Sequence, residues 1–222
     1  MKIGHKKTFV FGIISIFIFI LWTLLILTID VQPIGINGTN VGFAKFNSWF
    51  HRLTGVNMTL YTITDWLGLI PIFVCMVFAV IGFAQLVKRK SIIKVDFDII
   101  VLGVYYVAVI MCYLLFEMCP INYRPILIDG YMEASYPSST TLLVLCVMST
   151  LDFQAKQRIK NDKIKAIVCA FSGLFSLFMV VGRLISGVHW FTDIIGSILL
   201  SVGLFYIYKG IVLWKLEKSF RN

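Results

Sequence analysis

Residues 164–213 read IKAIVCAFSGLFSLFMVVGRLISGVHWFTDIIGSILLSVGLFYIYKGIVL. Two apolar runs, 164–185 and 189–213, are each long enough to cross a hydrocarbon layer of about 30 Å as a helix. The joint from Gly182 to Asp193 carries Arg183, His189 and Asp193. Ionisable groups so close to membrane-buried sequence are costly, and they mark function by default. His189 and Asp193 are four residues apart, which predicts one helix face. A carboxylate one turn away can hold an imidazole in one tautomer and stabilise its charged form. An arginine grips phosphate through its fork of N–H donors. The joint therefore reads as a histidine nucleophile, its orienting aspartate and a phosphate clamp.

Four further apolar segments precede these two, near 8–29, 66–87, 97–118 and 138–154. The predicted fold is all-α: a six-helix transmembrane bundle, with residues 1–222 as a single integral membrane domain. Composition agrees, at 59% hydrophobic, 14% charged and a mean hydropathy of +0.90. That is too apolar for a soluble domain. The segment at 138–154 is short and opens in a polar cluster, so it has to tilt or sit among the other helices. The first segment follows Lys2, Lys6 and Lys7, with no small-residue cleavage site after it, and reads as a retained signal anchor.

The net charge of +9 does not point to nucleic acid, because most basic residues lie in short loops between apolar runs. With the N-terminus in the cytoplasm, 16 of the 20 lysines and arginines fall on the inner side, from Lys2 to Arg221. Only Lys45, Arg52, Arg124 and Arg183 fall outside. Both termini are then cytoplasmic, the Arg183–Asp193 joint is extracytoplasmic, and a plasma-membrane location is expected. Membrane lipids are the expected surroundings. The outer loop at 30–65 contains Phe43, Phe46, Trp49, Phe50 and Leu53 at helical spacing, an amphipathic interfacial segment at about 40–55. It serves as an anchor or as a lateral gate for a lipid. His5 and His51 are assigned to the surface. The five cysteines fall in or beside apolar segments without metal-ligand spacing, and read as packing residues. No metal or cofactor is expected. Gly196, Ser197, Ser201 and Gly203 permit close helix approach, within the bundle or at a homo-oligomer face.

Two more outward stretches concentrate polar residues: Asn122-Tyr123-Arg124-Pro125, and Tyr136-Pro137-Ser138-Ser139-Thr140-Thr141. Pro-Ser suits a helix start, where free backbone N–H groups and the helix dipole favour an anion. Three polar constellations at one membrane face suggest one site.

The pattern Arg183, five residues, His189, three residues, Asp193 resembles the third signature of the type-2 phosphatidic acid phosphatase superfamily. Arg124-Pro125 resembles the end of its first signature and Pro137-Ser138 the start of its second; the likeness covers about 66–210. The resemblance implies an extracytoplasmic site that removes phosphate from a lipid phosphate without metal, through a phosphohistidine. His189 would attack phosphorus, Asp193 would orient it, Arg124 and Arg183 would neutralise the phosphoryl oxygens, and Ser138 and Ser139 would cradle them.

The chain departs from those signatures. Glu117 stands where the first has lysine, Gly182 where the third has serine, and Thr140 where the second has histidine. That histidine protonates the leaving oxygen, which threonine does not do at neutral pH. Losing a general acid costs ~10²–10⁴-fold for a poor leaving group. The phosphomonoester leaving from a diphosphate needs less help, which favours a lipid diphosphate such as undecaprenyl diphosphate. Glu117 is either a substitute acid, if burial raises its pKa, or an ion-pair partner of Arg124. The alternatives are a degenerate lipid-phosphate-binding protein and a lipid phosphotransferase.

Overall fold

The computed structural model describes residues 4–219, so Lys2 and Arg221 lie outside the described residues. The elements are α1 (His5–Thr28), α2 (Ala44–Thr54), α3 (Met58–Leu67), α4 (Leu69–Arg89), α5 (Phe97–Met118), α6 (Ser139–Arg158), α7 (Asp162–Ile185) and α8 (Phe191–Ser219). Among the described residues the regular structure is helical. The chain is an all-α polytopic membrane protein. Five helical stretches are long and apolar enough to cross a membrane: α1, the α3–α4 pair, α5, α7 and α8.

The sixth long helix, α6, is less apolar because it meets protein on its sides. It packs against α4, α5, α7 and α8. Buried Thr150 and Gln154 find partners there: Thr150 Oγ1 with Tyr106 Oη at 2.8 Å, and Gln154 Nε2 donating to Tyr208 Oη at 2.7 Å. Buried polar groups have to be paired this way. The outer faces of α1, α4, α5 and α7 carry exposed large apolar side chains such as Phe17, Phe83, Val104 and Leu174. In a protein whose solvent is lipid, that is the face expected to be wetted.

The predicted second span starts too late. Helix begins at Met58, and the 66–87 run is joined to it by a break at Gly68. Pro71 has no N–H to offer Leu67, so the ladder cannot run through. Gly68 instead donates to Thr64 and Asp65 at 3.1 and 3.0 Å.

Close helix approach depends on glycine. A Cβ on Gly12 would stand 2.8 Å from Ile207 N, and one on Gly210 would stand 3.0 Å from Phe9 Cα. Both lie in the α1–α8 seam. The small residues of α8 serve internal packing too: Gly203 faces Ile16 and Gly196 faces Tyr136.

The bundle has two chemically distinct ends. At one, Arg158 pairs with Asp96 and Asp98, Arg89 pairs with Asp96, and His5 of α1 meets Glu217 of α8 at 2.6 Å. At the other lie the loops at 119–138 and 186–190, which carry the polar constellations.

Candidate active site

Residues 119–138 double back as a short antiparallel ribbon. Arg124 N donates to Glu133 O, and Ser135 N donates to Asn122 O, each at 3.1 Å. Alternate residues of extended chain share a face. Asn122 and Arg124 therefore come forward with Glu133 and Ser135. Tyr136 fixes the ribbon's end, with its Oη 2.8 Å from Thr23 Oγ1 and its ring against Gly196.

The ribbon meets α8 at Asp193, which is fully buried. Its Oδ1 accepts from Asn122 Nδ2 at 3.0 Å, and its Oδ2 accepts from Ser135 Oγ at 2.5 Å. Oδ2 also takes the Trp190 N–H at 2.9 Å. A first-turn carboxylate reaching back to the N–H before its helix is one arm of a capping box. Asp193 thus anchors both the helix start and the ribbon.

His189 sits in the loop before α8, not on it. The expected helix face shared by His189 and Asp193 is therefore replaced by a loop-to-first-turn contact. Their nearest approach is 3.8 Å, Nδ1 to Oδ2. Ser135 stands between them. Its backbone carbonyl and its Oγ each lie 3.1 Å from His189 Nδ1. A carbonyl only accepts, so Nδ1 carries the proton, while the Ser135 hydroxyl is given to Asp193. The other ring nitrogen, Nε2, then bears a lone pair. Burial, with added repulsion from Arg124 and Arg183, holds the imidazole well below the usual histidine range. That favours the neutral ring over the imidazolium.

Arg183 is 1% exposed and Arg124 is 7% exposed. Both guanidinium groups lie over the ring of Tyr61, at 4.8 and 5.7 Å from its centroid. Arg183 Nη1 stands 3.5 Å from Thr64 Oγ1 and 3.6 Å from Asp65 Oδ1. Arg124 Nη2 pairs with Glu133 Oε2 at 3.0 Å. Among the described residues six buried side-chain atoms have no hydrogen-bond partner; besides Thr39 Oγ1 and Asn122 Oδ1 they are His189 Nε2, Arg124 Nε and Nη1, and Arg183 Nε. Unpaired buried donors on a cation are costly unless a ligand completes them. Three N–H donors and one lone pair match a phosphoryl group. Among the described residues, no three His, Cys, Asp or Glu side chains are grouped to hold a metal.

Residues 100–217 match the PAP2 superfamily profile. The chain belongs to the PAP2 superfamily. The fold of this PAP2 protein is similar to the crystal structure of the first transmembrane PAP2-type phosphatidylglycerolphosphate phosphatase from Bacillus subtilis. The TM-score is 0.65 and the identity 16%, over 90% of this chain and 95% of that one. No curated protein matches the chain.

The other predicted positions of this PAP2 chain divide. Ser139 and Thr140 open α6, and Ser139 lines a cleft of about 160 Å³ with Arg124, Glu117 and Glu133. Ser138 is buried with its groups committed. Its hydroxyl donates to Thr141 Oγ1 at 3.0 Å and its N–H lies 3.4 Å from Asp193 O, so it shapes the helix start and offers no free hydroxyl proton to a phosphate. Glu117 is exposed, not buried, and Arg124 takes Glu133 as its ion-pair partner instead. His51 is half-buried rather than a plain surface residue, with Nε2 3.0 Å from Gly187 O. α2 is tied to the site in a second place, where Asn47 Nδ2 donates to Thr192 Oγ1 at 3.0 Å. Sequence reading missed Ser135, Asn122's bond to Asp193, Glu133 and Tyr61.

Proposed function

We propose that this PAP2 protein is a lipid phosphatase working through a phosphohistidine on His189, with a lipid diphosphate as its preferred substrate. The carrying observation is a group of four unpartnered buried atoms, Arg124 Nε and Nη1, Arg183 Nε and His189 Nε2. In this reading the guanidinium groups hold the equatorial oxygens of the transferring phosphoryl group, where charge builds in the transition state. His189 Nε2 attacks in line and the P–O bond to the leaving group breaks. The leaving oxygen keeps the electron pair. The imidazole then carries phosphorus on Nε2 and a proton on Nδ1. That positive ring is supported by the Ser135 carbonyl and, through the Ser135 hydroxyl, by Asp193. The basic residues clustered at the opposite end support an extracytoplasmic site.

Thr140 favours a leaving group that departs without a proton. The test is phosphate release with EDTA present from undecaprenyl diphosphate, phosphatidate and phosphatidylglycerol phosphate, the last because the similar Bacillus subtilis protein is a phosphatidylglycerolphosphate phosphatase. Release fastest from the diphosphate is the expected result. Equal or faster release from the two monoesters would remove the leaving-group argument. No His189-dependent release from any of them would move the reading to a lipid-phosphate binder or a transferase.

Arg183→Lys is expected to slow release by about 10²–10³-fold, the cost of losing an oxyanion donor. An ammonium keeps the charge but cannot reproduce the fork over Tyr61. Rates within threefold of wild type would take Arg183 out of the clamp.

A further inference from the structure

A phosphohistidine has to be hydrolysed, and that second half needs a base for the attacking water. The groups around Asp193 already serve the Nδ1 side of His189. Glu133 is tied to Arg124. Ser139 and Thr140 carry hydroxyls, which do not accept a proton from water at neutral pH.

A groove of about 530 Å³ runs between α4, α5 and α6. Ile72, Ile110 and Leu143 are among its apolar walls, and its polar end is formed by Asp65, Ser139 and Thr140. A lipid substrate lays its hydrocarbon along apolar walls, so its leaving oxygen comes to that polar end. In an in-line displacement the water enters where the leaving group left. Glu117 lines the separate cleft beside Arg124, whereas among the described residues the only carboxylate lining this groove is Asp65. Its place follows from one face of the α3–α4 segment, where Tyr61, Thr64, Asp65 and Gly68 follow helical spacing. Tyr61 underlies both arginines, Asp65 Oδ1 stands 3.6 Å from Arg183 Nη1, and a Cβ on Gly68 would meet Thr140 Cγ2 at 3.5 Å. Asp65 is more than half exposed, so a proton it takes can leave to water.

We propose that Asp65 is the general base for hydrolysis of the phosphoenzyme, in a site whose α6 start carries Thr140. This rests on the phosphohistidine reading above. The water oxygen bonds to phosphorus, the P–Nε2 bond breaks, and its electron pair returns to the imidazole. One water proton passes to the Asp65 carboxylate and then to solvent, leaving inorganic phosphate.

The experiment uses the full chain in detergent and undecaprenyl diphosphate labelled at the terminal phosphate, with rapid quench into alkali to preserve phosphohistidine. Asp65→Asn is expected to label His189 at the wild-type rate and to release phosphate about 10²-fold more slowly, within the range for lost acid–base catalysis. Label therefore accumulates. Asp65→Glu should restore part of the release. Adding Thr140→His to Asp65→Asn should restore it through an imidazole at the same polar end. An unchanged melting temperature separates this from a folding defect. Equal slowing of labelling and release without accumulated label overturns the proposal, as does an Asp65→Asn enzyme indistinguishable from an active wild type. If wild type neither labels His189 nor releases phosphate, the phosphohistidine reading falls first and takes the Asp65 role with it.

Discussion

Replacing His189 with asparagine is expected to lower phosphate release by roughly 10⁴–10⁶-fold, the scale seen when a covalent nucleophile is removed. The fold should survive. His189 Nε2 makes no hydrogen bond with the described residues, so its loss removes no native partner. The asparagine amide can still donate to the Ser135 carbonyl that now lies 3.1 Å from Nδ1. Arg124 and Arg183 remain, and the variant should still bind a lipid diphosphate. Binding without turnover is the expected pair of results, read by phosphate release and by ligand-induced protection in thermal unfolding. Release within tenfold of wild type would mean that another group attacks phosphorus.

The Arg183–Asp193 joint was legible as a candidate site from charge and hydropathy alone. An arginine, a histidine and an aspartate between two apolar runs have few structural explanations. Their arrangement was less legible. A spacing of four suits a helix face, but it also suits a loop residue followed by the third residue of the next helix. Hydropathy could not tell these apart, and the loop is what the chain adopts. Ser135 carried no signal, since a serine in a loop is unremarkable until the ribbon pairing sets it against Asp193. The start of α3 was hidden for a related reason. Tyr61, Thr62, Thr64 and Asp65 lower the local hydropathy, and three of them are polar or aromatic because they line the arginine pocket. Sequence patterns locate apolar surface well. They locate poorly any polar residue whose partner is far along the chain.

Gly187→Ala is the substitution outside the chemical groups with the largest expected effect. α7 ends at Ile185, and Gly187 then turns with φ +70°. A left-handed residue at this place is a common helix stop, and glycine adopts it without steric cost. For alanine the conformation alone costs about 1–2 kcal/mol. Space makes the cost larger. A Cβ on Gly187 would stand 1.9 Å from Gly55 O and 2.9 Å from Gly55 C, and backbone cannot rotate away as a side chain can. The two loops would have to part. They are joined by Asn57 N donating to Ser186 O at 2.9 Å and by His51 Nε2 at 3.0 Å from Gly187 O. His189 is two residues on, so separating the loops moves its imidazole, the proposed nucleophile. A shift of about 1 Å is enough to cost ~10²-fold in rate. The expected result is a lower melting temperature together with slower phosphate release. Gly38→Ala gives the comparison. Gly38 has φ +74°, but an added Cβ there has nothing within 4 Å. It carries the same backbone strain without the collision and should lose some stability while keeping its rate. If the two variants behave alike, backbone strain accounts for everything, and the Gly55 contact has no part in holding His189 in place.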